Sequence, residues 1–406
     1  MARHKPAAIV CRLPIGSRAT VAGRVVNIDG GRVRLVDGSG ALTLSLGHVS
    51  PGAPALGQLV QATGVWDGTA LVVETRRDGV APLDSFPKAE GDYAHFTADG
   101  GRRVANLHRR AAVLGAIRVY FDQRGFLEVE TPLMVRSPGT EVHIEAFSVD
   151  GGRDRRFLIT SPEMHMKRLL GAGLSKIYQI SRAFRRDEAG GHHQPEFTML
   201  EWYRGFADAS AVMEDTENLV AAVAEEVRGE ATVQVAGRNV SVAPPWHRLR
   251  VDEALLEYAG LTLSEVLPDE ERFFHAWVEK VEPALGRDRA TFVTHWPASM
   301  ASLARLLPDD PTSADRFEAY VGGIELCNGF GELVDAREQR GRIEAEVALR
   351  EAEGLPAYPI DERFLGALEE GLPDSGGNAL GVDRLVMMVC GEDRVSEVMA
   401  FPADRV

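Results

Sequence analysis

Between residues 19 and 75 the chain alternates short β-rich runs with glycine turns: TVAGRVVNI, DGG, RVRLV, DGSG, ALTLSLGHV, then LVQATGVW and ALVVET. Five short strands at that spacing bury their apolar sides only by closing on one another, which predicts a small antiparallel barrel or sandwich over residues 1–83. DSFPKAEGDYAHFTADG, 84–100, is rich in Gly, Pro and Asp, lacks apolar periodicity and reads as a linker. Residues 101–406 then need a core of their own, since 406 residues exceed the roughly 250 to 300 that one core supports.

In that second part, Leu107, Ala111, Leu114, Ile117, Val119 and Tyr120 sit at helical spacing within 104–124, and Gly125 stops the helix. Strand-like runs at 127–131, 156–160, 176–184, 196–203, 317–321 and 324–334 are interleaved with helical patterns at 209–228, 268–284, 336–353 and 361–369. Strands returning in blocks, without strict βα alternation, predict an α+β domain with a mostly antiparallel sheet flanked by helices.

Composition removes several classes. No apolar run nears the roughly 18 residues that span a bilayer, and the start, MARHKPAAIVCRLPIG, is too briefly apolar for a signal peptide, so a cytoplasmic protein without membrane contact is expected. Cys11, Cys327 and Cys390 stand far apart, which excludes a disulfide framework and predicts three buried small side chains. The net charge of −15 is uneven: residues 1–90 carry 10 Lys and Arg against 7 Asp and Glu, about +3, leaving about −18 beyond. So acidic a chain is a poor general binder of nucleic acid.

Chemistry concentrates in four places. In FTMLEWY, period two puts Phe197, Met199, Glu201 and Tyr203 on one strand face, and ELCNGFGEL repeats the device with Asn328, Phe330 and Glu332. Glu163 in TSPEMHMKRL adds a third acidic group. Converging carboxylates repel unless a cation is bound, so the implied ligand carries an ammonium group, a metal ion, or both. AFRRDEAGGHHQPEF reads as a flexible lid over a polyphosphate, with Arg185 able to hold a phosphoryl oxygen. Adjacent His192 and His193 lack a third ligand at zinc spacing. In GNALGVDRLVMMV, Asp383 could cap a helix and Arg384 could stack on a purine. Glu318 and Glu325 bracket Gly322-Gly323 at a separation suited to one hard cation between phosphates.

These segments together resemble the class II aminoacyl-tRNA synthetases. RGFLEVETP (124–132) is similar to their first motif, FRRDE to PEFTMLEWY to the second and GVDRL to the third. SPEMHMKRL, WPASMASLARL, DRFEAYVGGIEL and CNGFGELVDAREQ resemble the lysyl branch. SPE, ELxNGF and DSGGNALGVDRL resemble its truncated relatives that attach a lysine to a lysine of elongation factor P. The resemblance covers about 104–406 and implies a class II catalytic domain preceded by a small all-β OB-like barrel. It further implies a homodimer and the cofactors ATP and Mg²⁺. Arg185 is the implied catalytic group and grips the α-phosphate, Phe197 and Arg384 sandwich the adenine, and His193 and Asp187 lie near the nucleotide, Asp187 standing where the family usually has Glu. Glu318 and Glu325 are the implied Mg²⁺ ligands. The implied lysine pocket is Glu163, Glu201, Tyr203, Asn328, Phe330 and Glu332. Cys327 stands where lysyl-tRNA synthetases typically have Gly and the factor P ligases Ala, which leaves α-lysine and β-lysine both open.

The expected function is therefore ATP-dependent activation of lysine or β-lysine as an adenylate and its transfer to a lysine of elongation factor P. A compact lysyl-tRNA synthetase and a non-catalytic paralogue that binds lysine or nucleotide are the alternatives. Against tRNA, base reading needs aromatic stacking platforms, and between residues 1 and 85 the only aromatic is Trp66.

Overall fold

A computed structural model describes residues 4–47, 52–142, 144–150 and 155–406, and in it the N-terminal strands close into a barrel. Strands β1 (Arg18–Asp29), β2 (Arg32–Asp37), β3 (Gly40–Ser45), β4 (Leu59–Trp66) and β5 (Leu71–Asp78) run in the order β1-β2-β3-β5-β4, antiparallel except for β3 with β5. Alternation fills the interior: Val33 and Leu35 of β2 point in while Arg32 and Arg34 point out. The end of the ALTLSLGHV run, 48–49, lies outside the described residues. Trp66 belongs to this interior and is 5% exposed, so it offers no platform to a base. Nor is the segment after the barrel without structure: Asp92–Thr97 is helical, Phe86 and Tyr93 pack at 4.7 Å, and the Arg24 guanidinium covers both rings. Three aromatic and cationic side chains do there what apolar periodicity does elsewhere.

The chain divides into two compact units, 1–104 and 105–406. Helix α1 (Arg102–Gln123) buries Asn106, Val113, Ile117, Tyr120 and Phe121. Ala111 and Val119 point outward, contrary to the apolar stripe read from the sequence. The aromatic residues set the face: Phe121 stacks on Tyr178 at 4.6 Å and meets Trp202 at 5.5 Å.

The large unit is built on one sheet. Its strands are β6 (Leu127–Glu128), β7 (Lys176–Phe184), β8 (Glu196–Gly205), β9 (His247–Arg250), β10 (Thr291–Pro297), β11 (Asp310–Val321), β12 (Ile324–Gly331) and β13 (Ser375–Gly381), in the order β9-β10-β11-β12-β13-β8-β7-β6. Only the two edge pairs are parallel. Leu306–Leu307 pairs onto β11, and Arg155–Leu158 belongs to a separate three-stranded sheet. Helices α2 (Glu163–Gly171), α3 (Ala209–Arg228), α4 (Ala336–Ala352), α5 (Glu362–Glu370) and α6 (Val382–Cys390) flank the sheet. Asp208 caps α3 by accepting from Ala211 N, and Gly229 ends it in the left-handed region. The helix expected over 268–284 is broken into Glu270–Ala276, a π turn at Trp277–Val281 and a 3-10 turn at Glu282–Ala284, where Pro283 supplies no N–H. Of the cysteines, Cys327 is buried but Cys11 is exposed, against expectation.

Strand β13, SGGNALG, was not legible as a strand, yet it lies between β12 and β8 at the centre of the sheet. Its glycines answer to neighbours. A Cβ on Gly376 would fall 2.6 Å from the Asp208 carbonyl oxygen, and one on Gly377 2.3 Å from the Tyr203 ring and 2.4 Å from the Glu332 carboxylate. Missing side chains on β13 are what allow Tyr203 and Glu332 to be where they are.

Candidate active site

A cavity of about 300 Å³ opens over the middle strands, walled by β8, β12, the start of α2 and the start of α6. At one end carboxylates gather. Glu201 is 1% exposed and accepts from Ser161 Oγ at 2.6 Å and Tyr203 OH at 3.1 Å. Glu163, in the first turn of α2, accepts from Lys167 Nζ at 2.5 Å, and Lys167 reaches Glu332 at the same distance. Burial alone would lower the Lys167 pKa, but Glu163 and Glu332 together hold it above the ordinary lysine value. Two of the three converging carboxylates thus already share an internal cation, and Glu201 does not. Burial, reinforced by the Glu163 charge, pushes Glu201 up to about 8 despite its two hydroxyl donors. Burial likewise pushes Glu332 up to about 7, Lys167 opposing.

The other end is basic. Arg185 lies over the Phe197 ring at 5.3 Å and meets Glu188 at 3.3 Å. Arg384 donates to the Glu325 carbonyl at 2.6 Å and to its carboxylate at 3.1 Å. It also reaches His193 Nε2 at 2.6 Å, and burial followed by the Arg384 charge holds His193 below the usual histidine pKa, so the neutral ring accepts. Burial would raise Glu325, but Arg384, then Arg185 and Arg316, pull it below the carboxylate range. Among the described residues, Arg185 Nε and Asn328 Oδ1 are buried with no hydrogen-bond partner. A buried donor and acceptor left open on a cavity wall mark where ligand atoms belong.

Of the residues singled out from the sequence, Glu163, Arg185, His193, Phe197, Glu201, Glu325, Asn328, Phe330 and Arg384 come together on this wall. Tyr203 and Glu332 stand one layer behind, bonded to Glu201 and Lys167. Glu318 is also behind the wall: Arg316 pairs with it at 2.5 Å and Tyr320 OH donates to it. Asp187 is a correction: its side chain is 69% exposed and pairs with Arg186, while Glu188 lines the cavity. Asp383 is not a helix cap either. It accepts from Thr198 N at 2.6 Å and pairs with Arg110 at 2.5 Å, bolting α6 to β8 and α1. The expected lid is tethered, Val395 N donating to Gly191 O and Ala403 N to Gln194 Oε1. Sequence reasoning missed Lys167, Ser161, Arg316 and Glu141 on or behind the wall. For Lys167 a signal existed, its i,i+4 spacing from Glu163, but that spacing usually denotes a surface pair.

A mostly antiparallel sheet whose central strands carry a carboxylate-lined end and an arginine-lined end of one cavity is the frame of an adenylate-forming synthetase. Residues 90–405 match the family described as tRNA synthetases class II (D, K and N), and the chain belongs to that family. Within it, the chain is similar to proteins named Elongation factor P--(R)-beta-lysine ligase. That of Klebsiella pneumoniae (strain 342) is 45% identical over 316 residues, that of Edwardsiella ictaluri (strain 93-146) 46% over 318, and that of Proteus mirabilis (strain HI4320) 45% over 316. Each match takes in 74% of this chain and 96% of the relative. Among the described residues no helix is long and apolar enough to cross a membrane.

Proposed function

We propose that the chain is an ATP-dependent ligase that activates lysine or β-lysine as an aminoacyl-adenylate and passes it to a lysine side chain of elongation factor P, in the cytoplasm where ATP and that factor meet. The observation that carries this reading is Glu201, which among the described residues has no ion pair where Glu163 and Glu332 share Lys167, facing a cavity whose far end holds Arg185 and Arg384. An ammonium belongs at the first end and a phosphoryl group at the second.

Glu163, Glu201 and Asn328 orient the substrate, with Phe330 walling the alkyl chain and Tyr203 and Glu332 fixing the carboxylates from behind. The substrate carboxylate is thereby directed at the α-phosphate. Arg185, whose Nε is open, neutralises charge developing there as pyrophosphate leaves. Phe197 and Arg384 flank the adenine, and His193 steadies the Arg384 guanidinium. Glu318 and Glu325 would hold a hard divalent cation through their carboxylate oxygens, Glu318 exchanging for it the Arg316 and Tyr320 that hold it otherwise; burial pushes Glu318 up to about 7, Arg316 opposing and the Glu325 charge reinforcing. Mg²⁺ there would offset the charge of the phosphates. Cys327 lines the same cavity, and burial holds it as a neutral thiol with a pKa of about 12, so it acts on the choice of lysine isomer by size.

A homodimer belongs to this reading. Val119, Leu127, Leu133 and Met134 lie 41 to 55% exposed around RGFLEVETP, apolar side chains that a second copy would cover. The test of function offers the full-length chain ATP, each radiolabelled lysine isomer, and either elongation factor P or lysine tRNA. Label on a lysine of the factor is expected. Robust charging of tRNA with an unlabelled factor would overturn the proposal.

A further inference from the structure

One half-buried acidic side chain on the cavity wall has no part in the chemistry above. Glu141 lines the cavity, and among the described residues its carboxylate makes no hydrogen bond. On one side of it Thr160 Oγ1 donates to the Pro138 carbonyl at 2.9 Å, and on the other Arg186 N donates to the Glu145 carbonyl at 2.8 Å. Thr160 leads to Glu163 at the ammonium end and Arg186 adjoins Arg185 at the phosphate end, so Glu141, on the cavity wall between those two ties, lies along the stretch between the ends. There a substrate held by its ammonium at one end and its phosphoryl at the other has its acyl carbon.

The segment that carries Glu141 is fixed from outside the cavity. Arg350, fully buried, donates to the carbonyls of Glu141 at 2.8 Å, Val142 at 3.0 Å and Ile144 at 3.3 Å, and pairs with Glu145 at 2.5 Å. Thr140 Oγ1 donates to Glu346, and Ala146 N donates to Tyr358 OH. The backbone is held at both sides of Glu141 while its carboxylate is left open, an arrangement suited to exchanging a proton.

Resting on the ligase reading above, we propose that Glu141 is the general base of the transfer step. The acceptor amine enters neutral, having left one proton in solvent. Its nitrogen forms the C–N bond with the acyl carbon while the bond from that carbon to the AMP phosphate oxygen breaks, the electron pair leaving with AMP. The surplus proton on nitrogen passes to the Glu141 carboxylate and from there to water at the cavity mouth. Burial pushes Glu141 up to about 7, with Arg185 and Arg316 opposing and Glu163 and Glu346 reinforcing, which suits a base working near neutrality.

The experiment uses the full chain, ATP, the lysine isomer that wild type activates, and elongation factor P. It compares pyrophosphate exchange, which reads activation alone, with single-turnover transfer from the preformed adenylate complex. Glu141→Gln should keep exchange within about threefold of wild type and slow transfer about 10²-fold. The acceptor's own ammonium raises the rate tenfold per pH unit in both proteins, so the wild type alone should show a second, steeper component that ends near pH 7. Glu141→Asp, which keeps the charge, should give an intermediate rate with that component retained. Transfer within threefold of wild type in Glu141→Gln would overturn the inference, as would exchange falling in step with transfer, which would make Glu141 a substrate holder. Wild-type protein that performs neither exchange nor transfer would instead overturn the ligase reading, and the inference with it.

Discussion

A carboxyl that keeps its proton to about pH 8 is a poor partner for an ammonium until that proton leaves, and at Glu201 burial is what keeps it. The folded pKa lies above the ordinary 4.5, so the ligand-free protein binds more protons than the unfolded chain between those values. Stability from this group is complete below about pH 4.5 and is lost as pH rises through about 8. The melting temperature of the free protein should therefore fall across that window. Lysine binding should tighten from pH 6 to 8, with proton release measurable by calorimetry in two buffers of different ionisation enthalpy. Glu201→Gln should abolish that release and weaken amino acid binding by about 2 to 5 kcal/mol while leaving ATP binding little changed. Equal losses for both ligands would remove Glu201 from the amino acid site. The period-two pattern of FTMLEWY made this residue legible, because a carboxylate between aromatic neighbours on one strand face is unusual. What the pattern hides is burial: nothing in MHMKRL says that Lys167 is 1% exposed and Arg168 is not.

Elements with a strong period were readable and elements built around their neighbours were not. Strand β8 and helix α3 coincide closely with their apolar patterns, since each packs one continuous face. Strand β13 is the contrary case: glycine has low strand propensity, and only the Tyr203 ring and the Glu332 carboxylate, both distant in sequence, explain Gly377. The carbonyls of Glu141, Val142 and Ile144 are another such case, since what holds them is Arg350, more than 200 residues away. Arg350→Ala would leave those carbonyls without their donor and Glu145 with Arg186 and Tyr358 alone, a loss of about 3 to 5 kcal/mol. Hydrogen exchange should show protection lost first around Glu141, Val142 and Ile144, with transfer more affected than activation. Uniform loss of protection across the large unit would mean that Arg350 holds the fold at large and not this strap.

At the scale of the whole molecule two expectations remain to be tested: the proposed second copy and the part played by the barrel. Val119, Leu127, Leu133 and Met134 are apolar, exposed and clustered in sequence around one edge strand, so light scattering at micromolar concentration should give twice the 44.2 kDa chain mass, and Leu133→Glu with Met134→Glu should halve it. A wild-type monomer would contradict the proposed assembly. The barrel carries none of the residues assigned to either end of the cavity, the family match begins at residue 90, and every cavity-lining group lies at or beyond Glu141. Asp99 accepts from Gly101 N and Arg103 N at the head of α1, so a cut after residue 98 leaves that helix its start. Deleting 1–98 should accordingly leave lysine-dependent pyrophosphate exchange within about threefold of the full chain. If the barrel serves the acceptor, labelling of elongation factor P is what should fall, as a rise in the acceptor's KM with little change in exchange. A tRNA-charging enzyme makes a different forecast, because loss of its barrel would remove contacts to the nucleic acid. With Trp66 inside the barrel, those contacts would have to come from Arg32, Arg34 and other outward cations of the strands, and would weaken steeply with added salt. Charging of lysine tRNA that is strong in the full chain, lost on deletion and suppressed by salt would therefore reverse the assignment of acceptor while leaving the activation site as described.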